Sequence, residues 1–503
     1  MQNFCWKIKL ICSTAFLNSW LMMPKAGEKA WYDQELSVTD AAGTTAPRRV
    51  GRPRTLDAGA ASLALVLNLI RTGEATTRIE IEKLAELGRA AVVDRLATLE
   101  ELGLVMEGEL GAAIGGRAPR HLRFAAEGGT ILVAVVDRSS LAVALVDLAG
   151  NSIVAHHEAA DLGAGPEAIL DRLTNLFIWL LDERGSKDRV WGIGVSLPEP
   201  VLIETGDSDA FGIGALETLQ SWRRFDFGAE VSLRFGAPCW VQGGAQMMTI
   251  GELKAGAGKG LADMLFLKLD RSIGAGVAAG GRVQQGSQGF AGMIGHAPTG
   301  EDSEIPCHCG ARGCLEALAS GEAIARQGAS AAQDGRSRYL AEMLERNGEI
   351  SASDVSHGAQ LGEAFCAEVL ARCGRLVGQS LAPLVNLLNP AIIVLGGAVA
   401  QSGDILLAAI REAVYRQSHP LVTRDLRIVR SQMGSSAGLV GAAQVVCDEI
   451  FAPAMIKEWI AYGSPRRRPA FLDFLEAEKA RKRKAAREQS QPRGTPANVP
   501  RHL

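Results

Sequence analysis

Long apolar runs are missing from this sequence. No stretch approaches the ~20 consecutive apolar residues of a membrane span, so a membrane partner is not expected. An excess of one charge is missing too. Lys plus Arg number 53 and Asp plus Glu 56, a net of −3, so any basic surface for nucleic acid must be local. Cysteine is scarce, with nine in 503 residues. Six of them (Cys5, Cys12, Cys239, Cys366, Cys373 and Cys447) show no disulfide framework, which fits a reducing cytosol. No short-period repeat is present. Apolar residues, by contrast, make up 47%, enough for a sizeable core, and the length suggests about two to four domains.

The other three cysteines crowd together. "GHAPTGEDSEIPCHCGARGCLEALAS" (Gly295–Ser320) holds Cys307, Cys309 and Cys314. An odd number of thiols this close cannot pair fully as disulfides. Soft thiolates plus one imidazole suit tetrahedral Zn²⁺. His308 lies between two of the cysteines, where its side chain tends to point away. His296 comes from a separate segment and can close a loop on the ion, so His296 is the preferred fourth ligand. A filled Cys₃His site leaves no open position and is therefore structural rather than hydrolytic. Metal-free buried cysteines are the alternative.

Along the chain, residues 1–55 read as a disordered basic extension. "KIKLICSTAFLNSWLMM" (Lys7–Met23) has a basic start and an apolar centre interrupted by Ser13, Thr14 and Asn18. A signal peptide is one reading, and an extension upstream of a true start at Met22 or Met23 is the preferred one. "RRVGRPR" (Arg48–Arg54) resembles an arm for a narrow minor groove, or is a solvated linker. Residues 56–127 predict three helices and a β-hairpin with a Gly-rich tip, a small α+β unit like a winged helix-turn-helix. Val92, Leu96 and Leu99 share its buried face. Arg89 and Arg95 lie on the two edges of that face, and Arg117 and Arg120 flank the tip, which makes these four the candidate DNA contacts. A small helical domain that binds protein is the alternative. Residues 128–455 alternate strand and helix, an α/β pattern in two lobes. "ILVAVVDRSSLAVALVDLAGNSIVAHHEA" reads as three successive strands. Residues 456–503 read as a basic tail. From Pro465 it carries 11 basic and 4 acidic residues, 11 − 4 = +7, and is expected to be partly helical between Ala470 and Arg487. It is either solvated or a weak, salt-sensitive nucleic-acid contact.

"AGMIGH" with "CHCGARGCLE" resembles the signature of the ROK family, bacterial repressors and sugar kinases with an actin-like ATPase (ribonuclease H-like) fold. Further matching pieces are "ALVDLAGNSI", "GIGVSLPEPV", "GELKAGAGKG", "LNPAIIVLGGAV" and "AGLVGAA", so the resemblance spans roughly Thr130 to Met455. It implies that His296, Cys307, Cys309 and Cys314 bind structural zinc, and that His296 and Glu316 touch a sugar. A winged helix in front is what the repressor branch of the family carries.

The departures from that pattern bear on catalysis. The family's Asn-Asp pair before the "GE" element, whose Asp is the general base, falls on Gly243 and Gly244. The first phosphate loop, Asp-x-Gly-Gly-Thr in the family, reads "DRSSL" (Asp137–Leu141), and the second reads "DRSIGAG" (Asp270–Gly276). The sugar-binding Glu of the family's E-x-G-H is Met293. The expectation is thus a cytoplasmic DNA-binding regulator of carbohydrate-related genes, a repressor rather than an enzyme. It would act on double-stranded DNA as a homodimer or higher homo-oligomer, with a small effector, a sugar or a less polar molecule. An ATP-dependent sugar kinase and a protein-binding scaffold are the alternatives.

Overall fold

The computed structural model describes residues 59–110, 120–184, 190–198, 222, 225–300 and 304–490. The extension 1–55 and Arg117 lie outside the described residues.

The first unit is a head of three helices and a hairpin: α1 (Ala60–Arg71), α2 (Arg78–Leu84), α3 (Arg89–Glu101), β1 (Val105–Leu110) and β2 (Arg120–Phe124). A reciprocal cap starts α2. The Thr77 hydroxyl accepts from Glu80 N at 3.3 Å, and the Glu80 carboxylate accepts from Thr77 N at 2.9 Å. Helix α3 buries Val92, Leu96 and Leu99, the stripe that the sequence predicts. Strands β1 and β2 pair antiparallel.

Two lobes follow. The first holds β3 (Thr130–Val136), β4 (Ser140–Asp147), β5 (Ser152–Ala159), α4 (Pro166–Arg184), β6 (Val190–Leu197), α5 (Phe227–Phe235), β7 (Cys239–Gly243) and α6 (Gly244–Ala255). Its sheet order is β5-β4-β3-β6-β7, with β3, β6 and β7 parallel. Alternate residues of β3 serve two cores: Leu132, Ala134 and Val136 join the core that includes α4, while Ile131 and Val133 join the core that the head shares with the helix Ser436–Ile450. The second lobe holds β8 (Met264–Leu269), β9 (Ile273–Ala279), β10 (Arg282–Val283), α7 (Gly321–Gln333), α8 (Arg338–Asn347), α9 (Ala352–Gln360), α10 (Ala364–Leu388), β11 (Ile392–Gly396), α11 (Asp404–Gln417) and β12 (Arg427–Arg430). Its order is β10-β9-β8-β11-β12. The chain then returns through α12 (Ser436–Ile450), α13 (Pro453–Trp459) and α14 (Pro469–Ser490). Helices α6 and α12 pack face to face. Their crossing requires small residues, since a Cβ on Gly251 would lie 1.9 Å from the Ala437 carbonyl oxygen.

Head and first lobe share one core across the expected boundary at 127/128. Leu67 and Phe124 of the head, Trp191 of β6, and Phe451 and Trp459 after α12 all belong to it. Trp191 meets Trp459 edge to face at 5.2 Å, and Phe124 meets Phe451 at 5.6 Å. Asn68 donates to the Phe451 carbonyl at 3.0 Å. The segment 456–490 is docked as well. Ile456, Trp459, Ile460 and Phe471 are buried, and the Arg468 guanidinium reaches Glu458 at 2.6 Å. The apolar residues of this stretch outweigh its basic composition as far as Leu475. Among the described residues, no single helix is long and apolar enough to cross a membrane.

Trp459 is fully buried, and its indole N–H donates to the Ile450 carbonyl at 2.9 Å. Trp459→Ala should destabilise the junction by about 3–5 kcal/mol. Hydrogen exchange should show faster amide exchange in α1 and α13 while the second lobe is unchanged; equal protection in wild type and variant would refute the shared core.

Candidate functional site

The cysteine loop is closed on the segment carrying His296. Leu315 N donates to the Ala297 carbonyl at 3.1 Å, and Cys307 N donates to Ala311 O at 2.7 Å. The ligand atoms of His296, Cys307, Cys309 and Cys314 converge within 4.8 Å of one another and could hold a metal ion. A tetrahedron with metal–sulfur bonds of about 2.3 Å and a metal–nitrogen bond of about 2.0–2.1 Å has S···S edges of about 3.8 Å and S···N edges of about 3.6 Å. Here Cys309 Sγ lies 3.7 Å from Cys314 Sγ, and Cys307 Sγ lies 3.5 Å from His296 Nδ1. His308 is not one of the converging four. Its Nδ1 is 4.0 Å from Cys307 Sγ, and its ring meets that of His296 edge to face. Burial pushes the Cys314 thiol up to about 12 and raises that of Cys307, so a cation is what would turn these thiols into thiolates. Burial likewise lowers the pKa of His296 and favours its neutral, ligating form.

Glu316 follows the last cysteine and is buried. Its Oε2 accepts from Ile273 N at 2.7 Å, which ties the loop to β9. Gly243 ends β7 and Gly244 opens α6. The cavity beside Gly243 and Met293 measures about 10 Å³, room for about one water. The Gln246 amide closes it by donating to the Gly289 carbonyl at 2.8 Å. A larger groove of about 410 Å³ opens on the other side of Met293, between Ile294–Thr299 and the Gln379–Leu384 stretch of α10, and is lined mainly by apolar atoms.

Both hairpin loops at the cleft are occupied by their own side chains. Asp137, at the end of β3, pairs with Lys268 Nζ of β8 at 2.6 Å, linking the lobes. The Lys268 side chain is only 6% exposed. Burial opposes the Asp137 charge, but the Lys268 ammonium outweighs it and holds the carboxyl below its usual range. Beside it Arg138 reaches Glu322 of α7 at 3.1 Å, a second link between lobes. In the other loop, Asp270 accepts from Arg271 N at 2.8 Å and from Ala398 N at 3.3 Å. Gly397, with φ +92°, lets that turn approach; a Cβ there would meet the Leu269 carbonyl oxygen at 2.3 Å. A fixed carboxylate thus takes backbone amides that could otherwise face a phosphate, and it repels one. Sequence reasoning missed these pairings. The visible signal was Lys268, the one charge in the wholly buried strand "MLFLKL".

The head's candidate residues differ in their freedom. Arg89 is exposed in the first turn of α3. Arg95 turns back instead: its Nε donates to Ser62 Oγ at 2.9 Å and its Nη1 pairs with Asp94 at 2.6 Å. Arg120 is exposed and paired with Glu107, which Arg78 also reaches at 3.3 Å.

Two α/β lobes hinged on α6 and α12, with a hairpin loop from each facing the cleft, define an actin-like ATPase fold. The ROK family profile matches residues 137–449, and the chain belongs to that family. It is 26% identical over 392 residues to the xylose repressor of Caldicellulosiruptor bescii, spanning 77% of this chain and 96% of that protein. It is 32% identical over 262 residues to a glucokinase of Halalkalibacterium halodurans, spanning 52% and 77% respectively. A crystal structure of a ROK family transcriptional regulator, a homologue of the E. coli Mlc protein, superposes with a TM-score of 0.65 at 26% identity. It covers 80% of this chain and 99% of its own.

Lys268→Met should leave the Asp137 carboxylate buried without its counter-ion, costing about 3–5 kcal/mol at neutral pH. Asp137 has a depressed pKa, so the stability the pair contributes is present above about pH 4 and lost as pH falls through the depressed value. Melting curves across pH should converge for wild type and variant in acid. A constant gap at all pH values would refute the assignment, and Asp137→Leu with Lys268→Met should recover most of the loss.

Proposed function

We propose that this chain is a cytoplasmic, DNA-binding transcriptional regulator of carbohydrate-related genes, a repressor acting as a homodimer or higher homo-oligomer. The observation that carries this reading is the three-helix head with its hairpin, built into the same core as a kinase-like lobe. The head acts as a winged helix-turn-helix, with α3 entering the major groove of double-stranded DNA and the hairpin on the backbone. Arg89 is the foremost contact, since the N-terminal turn of such a helix meets base edges. Arg95 joins it by exchanging Asp94 for the nucleic acid, while Arg117 and Arg120 hold phosphates. A small effector seated near His296 and Glu316 would act through the angle between lobes and so the spacing of two heads on a pseudo-palindromic site. The small cavity beside Gly243 disfavours a sugar there in this conformation, and the groove beyond Met293 offers room for a less polar molecule.

Zinc is the ion proposed for the Cys₃His cluster. His296, Cys307, Cys309 and Cys314 would hold it, and it would supply folding free energy by tying residues 296–315 into one closed loop. Purified protein should contain one zinc per chain, and Cys309→Ser should release it and lower the melting temperature. Elemental analysis finding no zinc, or unchanged melting of the variant, would refute this.

The domain is read as non-enzymatic. Gly244 offers no base, and the two cleft loops are held by Lys268 and by Asp270 itself. The similarity to a glucokinase favours the kinase as second reading, and a partner-docking scaffold is a third. A coupled ATPase assay over a sugar panel should show no turnover, and Gly244→Asp should not restore it. In gel shifts on its own upstream DNA, Arg89→Ala should cost about 1–3 kcal/mol at the specific site. Arg120→Ala should weaken all duplexes about equally. Sugar phosphorylation by the wild type, or wild-type affinity in both arginine variants, would overturn the reading.

A further inference from the structure

Helix α14 lies beyond the segment matched to the family, which ends at residue 449. Its first turns are anchored. Phe471 and Leu475 are buried, Lys482 pairs with Glu230 of α5, and the preceding Arg466 donates to the Gly236 carbonyl at 2.8 Å. Its later turns differ in composition. "KARKRKAAR" (Lys479–Arg487) has six basic residues and no acidic one. Whole-chain charge is −3, so the remainder carries −3 − 6 = −9. A concentrated basic stripe therefore stands on an otherwise acidic body.

The stripe has a direction. Lys479, Arg483 and Arg487 recur every four residues and so share one side of the helix, with Lys484 next to them. All four are exposed, and Lys479 and Arg483 have no ion-pair partner among the described residues. Along the axis the stripe extends about 12 Å, at about 1.5 Å per residue. Duplex DNA presents one charge per about 1.7 Å of axis, so about seven phosphate charges fall within that length. The only other side chains in the run are alanines, which offer a bilayer no apolar face, and Phe471 and Leu475 are already used against the protein. An aqueous polyanion is the occupant that this surface fits.

The helix is also held by the segment that holds the head. Helix α13 packs on α1, and Arg468, just before α14, is bound to Glu458 of α13. We infer that α14 is a second, sequence-independent nucleic-acid contact, with Lys479, Arg483, Lys484 and Arg487 meeting duplex phosphates while the head reads its site. This rests on the DNA-binding reading above. The four cations would raise affinity for specific and arbitrary duplex alike and steepen the salt dependence.

The test compares full-length wild type with a quadruple variant, Lys479→Gln, Arg483→Gln, Lys484→Gln and Arg487→Gln, on a duplex of arbitrary sequence and on the upstream fragment. Salt is varied between about 50 and 200 mM. The variant should bind both duplexes about 10–100-fold more weakly at the low end, with its log–log salt slope smaller by about 2–4, near 0.9 per lost phosphate contact. The preference for the fragment over arbitrary duplex should be unchanged. A charge-keeping variant, Lys479→Arg with Arg483→Lys, should behave as wild type, and all three should melt alike. If the wild type binds the fragment and the quadruple variant keeps the same slope, this inference fails and the regulator reading stands. If the wild type binds no duplex, both fail. If it binds phosphatidylserine vesicles through the same four residues and duplex binding is unaffected by their loss, the stripe is a membrane contact and the inference is overturned.

Discussion

The apolar core around Trp191, Phe451 and Trp459 is the constraint on which this molecule's design depends. It draws residues from three distant parts of the sequence: the head, a central strand of the first lobe, and the segment after the last interlobe helix. Phe124 of the head packs on Phe451, which in turn meets Trp191 and Trp459, so the head is packed onto the first lobe rather than tethered beside it. On the regulator reading, a ligand that changes the angle between lobes would carry the head along with the first lobe, with no separate transmission device.

The cleft shows the complementary adjustment. A kinase of this fold needs open backbone amides and a base facing its nucleotide and sugar. Here Asp137 and Lys268 satisfy each other across the lobes, and Asp270 takes the amides of Arg271 and Ala398. Each arrangement is locally stable because a charge has found its counter-charge or its donors. The Asp137–Lys268 pair links the two lobes. The proposed regulator without catalysis rests on these occupied loops and on Gly243 and Gly244.

Much of this was legible in the sequence because it is local. The stripe Val92, Leu96, Leu99 specified a helix face, the apolar runs and tight turns between Ile131 and Ala159 read as three strands, and the spacing of His296, Cys307, Cys309 and Cys314 anticipated their convergence. What escaped was non-local. Trp459 sits in a short apolar run beside a basic one, and nothing nearby says that it meets Trp191, 268 positions away. Lys268 was visible as a lone charge in a strand of apolar residues, but its meaning needed Asp137, 131 positions away. Arg95 lies at the edge of the α3 stripe as expected, yet Ser62 and Asp94 hold its guanidinium against the head. The composition of the stretch after Pro465 averages over Phe471 and Leu475, the residues that dock it.

The central claim is that this ROK chain acts on DNA. The most direct measurement is genome-wide mapping of the DNA bound by the full-length protein in its own cells. The account predicts a small set of discrete sites sharing an inverted pair of half-sites, at least one lying beside genes of carbohydrate use. Recovery of no sequence above an untagged control, from cells that contain the folded protein, would contradict it.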